Sequence, residues 1–138
     1  MSVSYNDELA VMHHDGTPLA NFPMTLDGNI TVGAAIGDVN GDGSVNIVVG
    51  TWGDQLHAIN LDGTEAAGFP VVLADRVRSA PILANIDGST DGSLEILFGS
   101  DDNKLHAFDG GGNELWFVSS ASQNIQADPA VTDMDGDG

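Results

Sequence analysis

Apolar residues in this chain come in short runs, broken every few positions by Gly, Asp, Asn or Pro, as around Ile47-Val48-Val49 and Ile96-Leu97-Phe98. Runs of that length, rich in β-branched and aromatic residues and bounded by turn formers, predict strands joined by tight turns. No 3.6-residue helical period is visible. The clearest succession gives four predicted strands, at residues 80–86, 94–99, 104–108 and 114–119. Asp15-Gly16 and Asp62-Gly63 stand where a two-residue hairpin turn needs positive φ, which Gly accepts without strain and Asp tolerates.

The pattern repeats. "LAVMHHDGTPLANFPMTL" at residues 9–26 returns as "LHAINLDGTEAAGFPVVL" at 56–73 and more loosely as "LHAFDGGGNELWFVSS" at 105–120, so Leu9, Leu56 and Leu105 lie 47 and 49 residues apart. A second element, "AAIGDVNGDGSVNIVVG" at 34–50, returns as "PILANIDGSTDGSLEILFG" at 81–99, and its opening returns as "PAVTDMDGDG" at 129–138. Units of about 40 to 50 residues with four antiparallel strands are the pattern of propeller blades, where each sheet buries both faces against its neighbours. The predicted fold is therefore all-β: a β-propeller of four-stranded antiparallel blades, about three per chain, in one repeat domain. Its units are a partial blade at 1–33 that holds strands three and four, blades at 34–79 and 80–127, and the first strand of a further blade at 128–138. Closed propellers have about four to eight blades, so just under three leave sheet faces and strand edges open. Completion is expected from the rest of a longer chain or from a second copy, two copies giving roughly six blades in a homo-oligomer.

Composition narrows the partners. Lys and Arg number 3 against 21 Asp and Glu, a net charge of −18, which disfavours nucleic acid and anionic membrane surfaces and makes cations the natural ligands. Hydrophobic residues make up 41% and fall into regular runs, which argues against disorder. No apolar stretch approaches the ~18 residues that cross a bilayer, and Met1 is followed by polar residues rather than by a secretory leader, so no membrane association is expected. With no cysteine there is neither a disulfide nor a zinc-thiolate site, and another device must hold the loops.

That device is predicted in the loop between the first two strands of each unit: "DVNGDGSVN" at 38–46, "NIDGSTDGSLE" at 85–95 and "DMDGDG" at 133–138. Oxygen donors at alternate positions, with a Gly that lets the backbone turn sharply, can converge on one hard cation. Calcium suits such a loop because it takes six to eight oxygens in tolerant geometry, whereas magnesium demands a tight octahedron. In the first loop the expected ligands are Asp38, Asn40, Asp42, the Ser44 carbonyl and Asn46, whose amide brings no charge. The second loop is two residues longer and reads in two frames, from Asn85 or from Asp87. The Asp87 frame, continuing with Ser89, Asp91, the Ser93 carbonyl and Glu95, repeats the spacing of the first loop and is preferred. The third offers Asp133, Asp135 and Asp137. Single Asp-Gly pairs are usually turns whose carboxylates cap backbone N–H groups. Three copies at one repeat position, holding 8 of the 21 acidic residues, favour calcium. The flanks are strands, so this is no EF-hand.

The units resemble the FG-GAP/VCBS repeats of integrin α-subunit propellers and of many secreted bacterial proteins. The signature D-x-[DN]-G-D-G followed by an xIxxG strand is matched at Asp38 to Gly50 and, with an insertion, at Asn85 to Gly99. "GSDDNKLHAFDGGGNELW" is also similar to the repeats of quinoprotein-type propellers. The resemblance implies calcium in these loops, a secreted or periplasmic location, and a role in adhesion or ligand binding.

The remaining candidates read as structural. His13, His14, His57 and His106 have no cysteine, nucleophile motif or paired carboxylate beside them in the sequence, and His57 and His106 share one repeat position, which argues for packing. Trp52 and Trp116 are expected to pack rather than to stack on a sugar, and Arg76, Arg78 and Lys104 to pair with acidic neighbours between blades. No catalytic or organic cofactor site is assigned. The expected function is a non-enzymatic calcium-binding module for a protein or carbohydrate ligand. The alternative is the propeller of a secreted polysaccharide-active enzyme whose catalytic residues lie outside this segment.

Overall fold

The computed structural model describes residues 7–120 and 123–132, together with the backbone of residues 2–3. Asp133, Asp135 and Asp137 lie outside the described residues.

Eleven strands form among these residues, with no helix. Strands β1 (Ser2–Val3), β2 (Glu8–Ala10) and β3 (Met24–Thr25) make a first sheet. Strands β4 (Ala35–Gly37), β5 (Asn46–Gly50), β6 (Gln55–Asn60) and β7 (Val71–Val72) make a second. The third holds β8 (Ile82–Ala84), β9 (Glu95–Gly99), β10 (Lys104–Phe108) and β11 (Glu114–Ser119). Each sheet is an antiparallel meander in chain order. The fold is all-β.

Period-2 alternation assigns the faces. On the second sheet Ile47, Val49 and Ile59 join Leu9, Val11, Phe22, Leu26 and Ile30 of the first sheet and its connections in one buried cluster. Val48, Leu56 and Ala58 point the other way, into a cluster with Ile96, Phe98 and Phe108 of the third sheet. Strand β5 is thus buried at every position, which explains its unbroken apolar run. The two clusters join the first sheet to the second and the second to the third; neither joins the first to the third. Phe22 and Phe69 occupy equivalent places in the two clusters, each ahead of a cis-proline.

The turns follow the repeat. Asp7, Asp54 and Asn103 hold the same repeat position and share φ values of 60°, 65° and 69°, a left-handed conformation that Asp and Asn accept more readily than other non-glycine residues. The hairpin turns differ from the two-residue expectation. His13 N–H bonds Thr17 O, Gly16 N–H bonds His13 O, and only Gly16 and Gly63 take positive φ, 83° and 85°, so each loop has three residues with Gly last. Asp15 and Asp62 instead accept the N–H and hydroxyl of Thr17 and Thr64.

Two further differences concern the ends. Residues 1–33, read as a two-stranded remnant, contribute three strands because β1 pairs Ser2 with Ala10 and Val3 with Leu9. Residues 128–132, the described part of the segment 128–138 read as the first strand of a further unit, belong to no strand among the described residues.

Candidate metal-binding loops

The β4–β5 and β8–β9 loops fold on hydrogen bonds made by the side chains singled out in the sequence. Asp38 Oδ1 accepts the Gly41 N–H at 2.7 Å and Oδ2 the Gly43 N–H at 2.7 Å. Asn40 Nδ2 donates to Asp42 Oδ2 at 3.1 Å, and Asp42 Oδ1 accepts the Ser44 N–H at 2.7 Å. In the second loop Asn85 Oδ1 accepts the Gly88 N–H at 2.9 Å and Asp87 Oδ1 the Ser89 N–H at 2.7 Å. Asp91 Oδ1 gathers the Ser93 N–H and hydroxyl at 2.9 and 2.6 Å and the Ser89 hydroxyl at 2.9 Å. These bonds hold the Asp42 and Asp91 carboxyls below the usual range. The Ser44 N–H and then the Asn40 amide act on Asp42; the Ser93 hydroxyl, the Ser93 N–H and the Ser89 hydroxyl act on Asp91. Both are therefore anionic at neutral pH.

The ends of the loops decide their alignment. Asn46 Oδ1 accepts the Val39 N–H at 3.1 Å, and Glu95 Oε2 accepts the Ile86 N–H at 2.8 Å. Glu95 thus stands where Asn46 stands, and Asn85 and Gly88 (φ 70°) match Asp38 and Gly41 (φ 72°). By turn geometry the second loop begins at Asn85, with two residues inserted after Gly88, rather than at Asp87. The two loops also touch. Leu94 N–H bonds Asp38 O at 3.0 Å, and a Cβ on Gly41 would lie 3.2 Å from Asp91 O.

The donor sets are not equal. The Asn46 amide is spent, with Oδ1 on Val39 and Nδ2 donating to Asn60 Oδ1 at 2.9 Å. Glu95 is 2% exposed, has one protein hydrogen bond, and lines a cleft of about 400 Å³ with Asp87, Asp91, Ser93 and Asp109. Among the described residues, the ion pairs use none of the loop carboxylates. Nor do three Asp, Glu or His side chains there already close on a common point, because the loop carboxylates are turned onto backbone N–H groups.

His57 and His106 are buried, as periodic placement predicts, but the sequence reading missed their company. Each ring has a carboxylate at both nitrogens: Glu65 and Asp27 on His57, Glu114 and Asp102 on His106. His13 and His14 are exposed on the first hairpin. The Arg76 and Arg78 guanidiniums lie 5.2 and 5.0 Å from the Trp52 ring centre, Arg78 Nε is 3.8 Å from Asp101 Oδ2, and Lys104 Nζ is 3.5 Å from Asp102 Oδ2. Trp116 is exposed on β11.

Comparison with protein-family models and with curated proteins gives no match for this chain.

Proposed function

We propose that the chain is part of a calcium-stapled β-propeller of the FG-GAP/VCBS kind, acting outside the cell as a non-enzymatic binding module for a protein or carbohydrate. Successive meander sheets, with the middle one buried on both faces, support the architecture. The observation that carries the ion is Glu95. Its carboxylate has one protein hydrogen bond and, among the described residues, no cationic side chain paired to it, and it lines a cleft with Asp87 and Asp91 where a cation would balance three negative charges. Asp87, Asp91 and Glu95, with oxygens from Asn85, Ser89 and Ser93, would hold calcium in the second loop. Asp38, Asn40, Asp42 and Ser44 would do so more weakly in the first, since the Asn46 amide is engaged. The ion would supply charge balance and tie the loop to the start of β9. Asp133, Asp135 and Asp137 complete the set by repetition.

Thermal unfolding with and without calcium tests this. A ligand that binds only the folded state at a hundred times its Kd adds about 2.7 kcal/mol, a rise of order 10 °C in Tm for a chain of this size. Glu95→Gln should remove most of that rise, while Asn46→Asp should enlarge it. No calcium-dependent shift in the unmodified chain, at millimolar calcium, would falsify the reading.

Assembly is the second element of the proposal. Among the described residues the first sheet has no strand equivalent to β4 or β8, and β11 leaves Trp116, Phe117 and Val118 exposed at the far edge. Residues 129–133, which repeat the sequence of β4 and β8, would complete such a sheet in a second copy, unless further chain does so. Sedimentation of this chain should give a dimer if copies close on one another, and a clean monomer excludes that route.

A further inference from the structure

The geometry points to His57 as a proton-dependent latch that fastens the first sheet to the second. His57 lies on β6, 4% exposed, with Nδ1 2.6 Å from Glu65 Oε1 and Nε2 2.8 Å from Asp27 Oδ1. A neutral imidazole carries one N–H, and a carboxylate carries none. Both contacts are hydrogen bonds only when the ring is an imidazolium; once it is neutral, one nitrogen lone pair faces a carboxylate lone pair at under 3 Å. Glu65 sharpens the dependence, because its other oxygen, Oε2, is buried without a hydrogen-bond partner. Loss of the proton would leave that carboxylate enclosed without its counter-charge.

The two carboxylates come from different sheets. Glu65 stands in the β6–β7 connection of the second sheet, whereas Asp27 follows β3 of the first. Asp27 Oδ1 also accepts the Thr51 hydroxyl at 2.9 Å, so one oxygen holds two groups across the interface. The charged groups facing the ring are Asp27 from the first sheet and Glu65 from its own sheet. Its cross-strand neighbour on β5 is the apolar Val49. No Lys or Arg is paired with either carboxylate among the described residues.

The next repeat keeps a carboxylate at Nε2 but takes it from its own sheet, so among the described residues the bridging arrangement is found at the first interface alone. His106 keeps Glu114 on Nδ1 at 2.6 Å, but Asp102 occupies Nε2 at 3.2 Å. Asp102 lies on the β9–β10 turn of the same sheet, at the position held by Gly53 in the second sheet, and Asp27 is matched by Ala74. A Cβ on Gly53 would lie 2.0 Å from Asp27 Oδ2 and 2.6 Å from its Cγ. The Asp27 carboxylate therefore fills the space that the Asp102 side chain takes one repeat later. Within one chain the charge is kept while its source moves between sheets, a compensated exchange that simple packing does not demand. Around His106 the charged neighbours are Asp102, Glu114 and, through Asp102, Lys104, all on the third sheet.

The sign follows from the balance at His57. Burial pulls its proton affinity down, but the hydrogen bonds and charges of Glu65 and Asp27 outweigh burial and leave it raised above that of a free histidine. A raised folded value means the latch is fully engaged below the unfolded histidine pKa of about 6.5 and is lost as pH rises through the folded value.

The test is a pH titration of the His57 ring by NMR, with Tm followed over the same range at fixed calcium, so that failure of the metal reading does not confound it. His57 should bind its proton more tightly than a free histidine, and Tm should fall on the alkaline side. Asp27→Asn, which keeps shape and removes charge, should weaken proton binding by roughly tenfold and flatten that fall. Gly53→Asp alone should destabilise by forcing two carboxylates together. Asp27→Ala with Gly53→Asp, which transplants the arrangement of the third sheet, should restore proton binding at His57 but leave first-sheet amides exchanging faster than in the parent. A His57 ring that titrates like free histidine, or an alkaline fall in Tm that Asp27→Asn leaves intact, overturns the proposal.

Discussion

Alanine at Gly50 should cost about 3 kcal/mol, at the upper end of what overpacking a close-packed interior costs, and should expose the interface between the second and third sheets. Gly50 ends β5, and a Cβ there would lie 2.2 Å from Val77 Cγ1 and 2.3 Å from Val77 Cβ. Val77 cannot retreat. It is fully buried, and its N–H is bonded to Thr51 O at 3.2 Å. The requirement here is for space rather than for unusual φ. The same socket recurs one repeat later, where a Cβ on Gly99 would lie 2.5 Å from Ile125 Cγ2 and 2.5 Å from Ile125 O. Each glycine that closes an xIxxG strand thus receives an apolar residue from the segment that follows the last strand of its own sheet. Gly16→Ala is the control, since open space surrounds Gly16 and only its φ of 83° resists; that change should cost about 1 kcal/mol. Urea unfolding with an unchanged m-value would register both. A Gly50→Ala chain as stable as the parent would show that the sheets are not packed this closely.

Phe98→Ala should be the more damaging change, about 3–5 kcal/mol. Phe98 is fully buried on β9, stacked on His106 at 5.1 Å and 18° and tilted against Phe108 at 5.6 Å. It anchors the cluster shared by the second and third sheets. Truncation there removes aromatic surface from both neighbours and leaves a cavity that strands on either side cannot collapse to fill. Phe98→Leu, which keeps more of the volume, should cost well under half as much. On the same sheet Phe117, 49% exposed beside Lys104, should tolerate alanine at under about 1 kcal/mol. Phe98 and Phe117 flank His106 on one face, so equal costs would contradict the placement of Phe98 in the core and Phe117 on the open edge strand. A dimer that covers β11 would raise the cost at Phe117 alone and make it concentration-dependent, which ties this comparison to the assembly proposed above.

How much of this was legible beforehand differs by region. Strands β10 and β11 occupy the residues read from the sequence, 104–108 and 114–119, because alternation and flanking turn residues are local signals. The strand read at 80–86 shrinks to Ile82–Ala84, since only those three residues find partners on β9, from Leu97 to Glu95. The loops were found by their oxygen spacing, and of the two frames that the second offers, spacing favoured the one from Asp87. What separates them is which side-chain oxygen accepts the N–H of the residue after the loop's first position, Asn46 Oδ1 from Val39 and Glu95 Oε2 from Ile86. Spacing alone pointed to Asp87, because the insertion after Gly88 keeps oxygens at alternate positions and lets that frame copy the first loop.

The histidines mark the boundary most sharply. Their periodicity was visible, yet Asp27 is 30 residues from His57 and Asp102 is 4 residues from His106. Two equivalent rings draw on carboxylates at non-equivalent positions, so self-comparison of the chain hides the pairing. By itself the sequence determined the strands, the turns that need Asp, Asn or Gly, and the oxygen-rich loops, since each depends on backbone sterics and hydrogen bonds within a few residues. Tertiary structure decided which faces meet, which glycines are sockets and which acids lie against the histidines. Those outcomes depend on the distance between sheets, a quantity no local stretch of chain encodes.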